Sequence, residues 1–431
     1  PAQASIWFLL PYFLPEAMSP TKCLGAFLAV GLLPSAVSVI VKHGPHRSCG
    51  VSMTFSDFVK RYARDYEPGT DEYSRRESLF VKRAEDIERH NCGDASISHS
   101  WRAGVNNLAD WSEEALDGLL GVQPGEKQLP QPMNLIRHTE SWHGAGPDHG
   151  LPKAISWGNL STIREPRHQG HCGSCWAVSA VTAMNAHAEI QGKPRGFSIA
   201  QILACMPNPR KCGGEGGCRG ATAELAFDYA VRMGLTTEEK WPYPYETTSP
   251  DQVQLKCPKE MAYDAEIKEL VKEDGDQRNL HSVQKPGRYN KDMGLTGWVK
   301  LPENKEEPLM RALVENGPVK VSVAPSHGWH MYTEGIMDVT GCDMAKVLKH
   351  AVVLYGYGAE GDMLYWQMKN SWGPDWGEDG SIRLQRLANE EQDCAWDDYP
   401  EKGSGCVGGP QRVWVCGTCG LLYQASFPKF A

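Results

Sequence analysis

Two kinds of apolar spacing divide this chain. Between Thr54 and Asn91 apolar positions recur at helical intervals in a charged background: Phe55, Phe58 and Tyr62, then Leu79, Phe80 and Ile87, with Arg83 on the same stripe. That spacing predicts one or two amphipathic helices. Residues 173–191 are small and apolar without proline, which predicts a helix opening near Cys175; residues 224–232 and 306–315 predict two more. Residues 319–323, 351–357 and 364–369 are apolar or alternating and bounded by Gly and Pro, a strand pattern. Helices come first and strands mostly later, so the fold class is α+β rather than βαβ alternation. Residues 118–150, rich in Pro, Gly and polar side chains, predict an exposed linker. Residues 261–297 and 387–413 are polar and irregular and predict loop insertions.

The front of the chain has a different pattern. Apolar runs at 6–14 and 23–41, with Lys22 before the second, Pro34 within it and small residues at 36–38, predict a leader over residues 1–41. It reads as a secretory signal with Met18 as the expected initiator. The rival is a retained signal anchor, because the run approaches the roughly 20 residues that span a bilayer. Either places the following chain in an oxidising compartment. The 431 residues, 41% hydrophobic and 23% charged, suit a soluble protein with ample core. A formal net charge of -9 argues against nucleic acid or an anionic membrane surface as partner.

Cysteine adds the chemistry. Eleven of the 14 cysteines follow residue 150, an odd number that suggests pairs plus one free thiol. The stretch HQGHCGSCW, 168–176, holds Cys172 and Cys175. A zinc site would need its second C-x-x-C about 15 to 20 residues away, whereas the next one, Cys416 to Cys419, is far downstream. A redox pair lacks its βαβ setting. A reactive thiol fits better: Cys175 at a helix start has its anion favoured by the helix dipole and by a neighbouring imidazolium. Gln169 is placed to aim an amide at an oxyanion together with the Cys175 backbone N–H.

The run C-G-S-C-W, followed far downstream by KHAVVLYGYG and KNSWG, resembles the papain-like cysteine proteases of the cathepsin L-like branch. The resemblance extends from about Thr54 to Pro428. It implies a two-lobed fold, a helical lobe plus a β-barrel-like lobe, behind a helical inhibitory prodomain. It implies Cys175 as nucleophile, His350 as general base and acid, Asn370 as the group orienting its ring, and Trp372 as the shield over that bond. His350 and Asn370 lie farther from Cys175 than the usual 130 to 150 or so residues, an excess that the 261–297 insertion accounts for. Substrate contacts would fall on the backbone of Gly220 and Ala221, with a pocket of Ala223, Leu348, Ala351 and Gln424 for the side chain two residues before the cut bond. Three apolar walls predict an apolar side chain there; Gln424 at the base admits a polar or basic one. Ala221 stands where the family has a second glycine, and Lys349 where it has Asp or Asn; like-charge proximity of Lys349 is expected to lower the His350 imidazolium pKa.

By the same matching Cys172 pairs with Cys218, Cys205 with Cys257, and Cys342 with Cys419. Cys212, Cys394, Cys406 and Cys416 are extra, and their three connectivities stay open. Glu72, Arg76, Phe80, Ile87 and Asn91 have the spacing of the ERFNIN helix of inhibitory prosegments, with Arg83 in place of its asparagine. Gly104, Asn106, Leu108 and Asp110 resemble the following G-x-N-x-F-x-D motif. The implied organisation is a leader at 1–41, an inhibitory prodomain at 54–115, a propeptide linker at 116–149 and a peptidase domain at 150–431. The implied partners are protein or peptide substrates and the chain's own prosegment, with a membrane only if the leader is uncleaved; the mature enzyme is expected to be a monomer without cofactor or metal. Its destination would be a lysosome, a vacuole or the extracellular space. A transpeptidase using the same acyl-enzyme and a non-catalytic inhibitor or binding protein are the alternatives.

Overall fold

A computed structural model describes residues 50–93, 99–121, 150–261, 293–389 and 391–431. The leader, most of the linker and residues 262–292 of the first insertion lie outside them. Helix α1, Phe55–Arg61, starts at Thr54, whose hydroxyl accepts from the Asp57 N–H. Helix α2, Asp71–Cys92, starts on Thr70 in the same way, so the charged front region is two capped helices. They pack through Phe55, Phe58 and Phe80, while Ile87 reaches the core beneath. Strand β1, Trp101–Ala103, and helix α3, Glu113–Leu119, complete the prosegment.

After β2, Ile155–Ser156, and α4, Ser161–Arg164, come α5, Cys175–Ile190, α6, Ile199–Cys205, and α7, Ala223–Met233. Helix α5 is buried from Cys175 to Ala188, possible because its residues are mostly small and apolar on every side. With α6 and α7 it forms one core around Trp176, Phe197, Phe227 and Tyr229. The second lobe holds β3, Leu295–Lys300, α8, Glu306–Glu315, β4, Val319–Val323, α9, Gly328–Met331, β5, Tyr332–Met337, β6, His350–Glu360, β7, Met363–Lys369, and β8, Ser381–Gln385. Strands β9, Ala395–Asp397, and β10, Val413–Val415, form a separate hairpin, and β11, Ala425–Phe430, closes the chain.

The large sheet runs β1-β5-β8-β7-β6-β4-β11-β3, with β2 also on β6. This path has two ends, so among the described residues the sheet-rich lobe is not a closed barrel. Strand β1 of the prosegment is one of those ends: Trp101 pairs antiparallel with Gly335 of β5. The front segment thus docks partly by extending the sheet of the second lobe. No helix among the described residues is long and apolar enough to cross a membrane.

The insertion at 387–413 is not irregular. It holds the β9–β10 hairpin, closed at its base by Cys394–Cys416 and tied by Cys212–Cys406 to the helical lobe. Among the described residues Cys172–Cys218, Cys205–Cys257 and Cys342–Cys419 are also bonded. Cys92 is disulfide-bonded as well, and Cys175 is a free, buried thiol.

Candidate active site

Cys175 is the first residue of α5, and His350 is the first residue of β6; both line one cavity between the lobes. The His350 Nε2 meets Asn370 Oδ1 at 2.8 Å, so Nε2 carries the hydrogen and Nδ1 is the acceptor. That Nδ1 has no hydrogen-bond partner among the described residues. Trp372 is fully buried, its ring 4.8 Å from the His350 ring, and it covers the histidine rather than opening to the cleft. Gln169 is held from several sides: its Oε1 accepts from Ser371 Oγ at 2.7 Å, its N–H donates to the Ser371 carbonyl, and its carbonyl accepts from Tyr243 Oη at 2.8 Å.

The prosegment fills the space in front of these groups. Gln169 Nε2 donates to the Leu119 carbonyl at 2.8 Å, as well as to the Cys172 carbonyl. A Cβ on Gly121 would stand 3.2 Å from the Cys175 sulfur, and one on Gly220 would lie 1.4 Å from the Gly121 carbonyl oxygen. Two glycines at positive φ therefore let the two backbones meet over the thiol. Residues 118–121, read from sequence as the start of an exposed linker, are instead largely buried in the cleft, because Leu119 and Leu120 have an apolar site to enter.

This covering reverses the expected ionisation. Burial pushes the Cys175 thiol up to about 11, although N–H groups of Ala351, Trp176 and Cys175 itself favour the anion. Burial lowers His350 to about 4, against the Asn370 hydrogen bond. Burial thus favours the uncharged form of both groups here, desolvation outweighing the helix dipole, whereas the thiolate–imidazolium pair expected from the sequence is that of the mature enzyme. Lys349 is not what lowers His350. Its ammonium lies 3.4 Å from the Asp343 carboxylate, and its charge bears on His330 instead.

The pocket beside Cys175 is lined by Ala221, Ala223, Leu348 and Ala351, with Leu120 and Gly121 of the prosegment at its mouth. Gln424 is not its polar base. Its amide donates to Glu224 at 3.3 Å and its carbonyl accepts from Ser322 at 2.8 Å, so both ends are engaged within the protein. Two charged residues line it, Lys349 and Lys320; Lys320 is 1% exposed, and its Nζ lies 3.1 Å from Glu224 and 2.9 Å from Ser322 Oγ. Burial opposes the Glu224 anion, but Lys320 and hydrogen bonds hold its carboxyl below the usual range. In sequence Lys320 reads as a polar position of an alternating strand; β4 is buried on both faces, which alternation cannot reveal.

The prosegment motif residues hold one another and the peptidase domain. Glu72 pairs with Arg76, and Arg76 donates to the Asp110 carbonyl; Asp110 pairs with Arg64 at 2.8 Å and accepts from Tyr66 Oη. Asn91 bonds Ala103 twice, and the Gly104 N–H donates to the Met331 carbonyl at 2.8 Å. Asn106, 1% exposed, donates to the His330 carbonyl and accepts from the Leu108 N–H. Phe80 and Ile87 are buried. Arg83, at the substituted motif position, is buried against His327, and two contacts outside the motifs complete the interface: Trp111 stacks on His171 at 4.2 Å, and Asn107 donates to the Trp372 carbonyl and meets His168.

Comparisons with known proteins match both parts of the chain. The profile described as papain family cysteine protease matches residues 151–402, and that described as cathepsin propeptide inhibitor domain matches residues 55–116. Cathepsin S of Bos taurus is 27% identical over 358 residues, covering 82% of this chain and 93% of that protein. Cathepsin L of Sarcophaga peregrina is 29% identical over 344 residues, 77% of this chain and 86% of that protein. Among solved structures, the digestive procathepsin L2 proteinase from Tenebrio molitor larval midgut is similar with a TM-score of 0.62 at 25% identity, covering 87% of this chain and 98% of that one.

Proposed function

The chain belongs to the papain family of cysteine proteases and carries a cathepsin propeptide inhibitor domain; from that premise we propose that it is a cysteine endopeptidase made as a zymogen, with Cys175 as its nucleophile. Once the prosegment leaves, water returns to the thiol, the helix N-terminus on which Cys175 sits favours its anion, and its proton passes to His350 Nδ1. The thiolate attacks the peptide carbonyl. Gln169 Nε2 and the Cys175 N–H receive the oxyanion, and the imidazolium returns the proton to the leaving amine. Water, deprotonated by the same Nδ1, then releases the acyl group. Asn370 fixes the ring so that Nδ1 remains the acceptor, a positioning role.

One observation carries this reading: a backbone carbonyl, that of Leu119, already accepts from Gln169 Nε2 while Gly121 lies against the Cys175 sulfur. The chain that inhibits occupies the donor a substrate carbonyl would use. Gly220 and Ala221 would carry backbone contacts, and Ala223, Leu348 and Ala351 an apolar side chain two residues before the cut, with Lys320 rather than Gln424 supplying polarity. The five described disulfides support a secretory route to a lysosome, a vacuole or the exterior.

The test is acid treatment of the wild-type and Cys175→Ala proteins, followed by an epoxide that traps active-site thiols and by a dipeptide amide substrate. One adduct on wild type alone, with cleavage abolished by labelling, is expected. No adduct after the prosegment has gone would overturn the proposal in favour of a non-catalytic binding protein. Transfer of the acyl group to an added amine in place of water would instead identify a transpeptidase.

A further inference from the structure

Residues 403–407 cross from one lobe to the other at the rim of the pocket beside Cys175. At one end Gly403 lies on the Leu348 backbone so closely that a Cβ there would stand 2.7 Å from the Leu348 carbonyl oxygen. Leu348 is two residues from His350 and belongs to the sheet lobe's side of the pocket. At the other end the Gly405 carbonyl accepts from the Gly213 N–H at 2.9 Å, Cys406 is bonded to Cys212, and the Val407 N–H donates to the Arg210 carbonyl at 2.9 Å. Gly213 is a wall of the same pocket on the helical lobe's side, and between the two anchors Ser404 faces into the cavity.

The crossing segment is rigidly built. Its approach is fixed by the β9–β10 hairpin, by Cys394–Cys416, by the contact of buried Lys346 with Asp393, and by a turn in which the Gly403 and Gly405 N–H groups both donate to the Pro400 carbonyl. Closing the long loop between Cys212 and Cys406 also removes the freedom with which this segment would swing away from the helical lobe.

An extended peptide in a two-lobed cleft runs between the lobes, so a covalent crossing between them is an obstacle in its path. We propose that residues 403–407 are a fixed strap that ends the substrate cleft just beyond the pocket for the second residue before the cut bond. The preferred substrates are then peptides with two residues ahead of that bond, and longer amino-terminal extensions are disfavoured. The inference rests on the peptidase reading above and narrows it, since internal bonds far from an amino terminus become poor substrates. Ser404 is the residue that the far end of such a substrate touches.

The experiment is a length series: amino-blocked peptides with two, three, four and six residues ahead of one fixed fluorogenic amide, assayed on the processed enzyme. Enzyme concentration is set by epoxide titration, and mass spectrometry checks that the thiol used to keep Cys175 reduced leaves Cys212–Cys406 intact. We expect kcat/KM to fall at least tenfold between two and four residues, mainly through KM. In Cys212→Ser/Cys406→Ser the four-residue substrate should gain at least fivefold while the two-residue one stays within twofold. A flat wild-type series overturns the strap, as does an unchanged length profile in the double variant. Absence of both titration and cleavage would instead mark failure of the peptidase reading, so the two failures are distinct.

Discussion

Replacing Lys320, a residue of the pocket wall, by methionine removes the positive partner of the Glu224 carboxylate behind it. The Nζ–Oε1 separation is 3.1 Å, with side-chain exposures of 1% for Lys320 and 13% for Glu224. At an effective dielectric of about 20, Coulomb attraction at that distance is about 5 kcal/mol, but desolvating two ions costs several kcal/mol each. The intact pair is therefore worth little net. Breaking it is a different matter: Glu224 keeps Ser426, Gln424 and its own backbone N–H as uncharged partners in a site it cannot leave. The expected loss for Lys320→Met is about 3 to 5 kcal/mol, whereas Lys320→Met/Glu224→Gln should recover most of it. The assay is urea unfolding of the Cys175→Ala protein, which cannot digest itself, with and without each change. A single variant within about 1 kcal/mol of the parent would refute the reasoning, given that unpaired buried charges cost several times that amount. A double variant no more stable than the single one would refute it equally.

Two predictions concern the docked prosegment. His327 lies 3.5 Å from Asp86 and 3.3 Å from Glu113 with Arg83 against its ring, and His330 behind it also feels Lys349; burial, then the Arg83 charge, hold both imidazoles below the ordinary range. Groups kept neutral by docking gain protons on release, so docking is full above the ordinary imidazole pKa of about 6.5 and weakens as pH falls below it. Limited proteolysis of the Cys175→Ala prosegment should accelerate from pH 7 to pH 5, and His327→Ala should flatten that rise; equal rates at both pH values would contradict it. Asn106→Ala leaves the buried His330 carbonyl and Leu108 N–H without their partner, a cost of about 2 kcal/mol or roughly 30-fold in docking. Hydrogen exchange of residues 101–111 should speed by about that factor while α5 is unchanged, and unaltered exchange would refute the role.

The secondary structure was largely legible because period and punctuation agreed. The run 306–315 coincides with α8, 319–323 with β4, and the predicted start at Cys175 with α5. What escaped was decided by tertiary placement. Leu119 and Leu120 sit in a Pro- and Gly-rich stretch whose local composition reads as linker, yet an apolar cleft receives them. Lys320 occupies a polar position of an alternating strand, and only the packing of both faces of β4 shows that its charge is buried and paired. The insertion at 387–413 has too little apolar content to predict order; its order comes from two disulfides that spacing left unassigned among three connectivities. The state of Cys175 in this form was equally illegible, since motif and helix position speak for the anion while burial, to which a distant segment contributes, raises the thiol.

The central claim is that the prosegment silences the site by keeping Cys175 and His350 buried and neutral. Its most direct test is the rate of Cys175 alkylation by a small haloacetamide from pH 4 to 10, in the proform and after the prosegment has been removed. The proform should react slowly near neutral pH and accelerate only toward pH 10, as a thiol held near 11 requires. The processed enzyme should react rapidly, on a plateau beginning in acid, as the thiolate of an ion pair does. Identical rate–pH curves for the two forms would contradict the account.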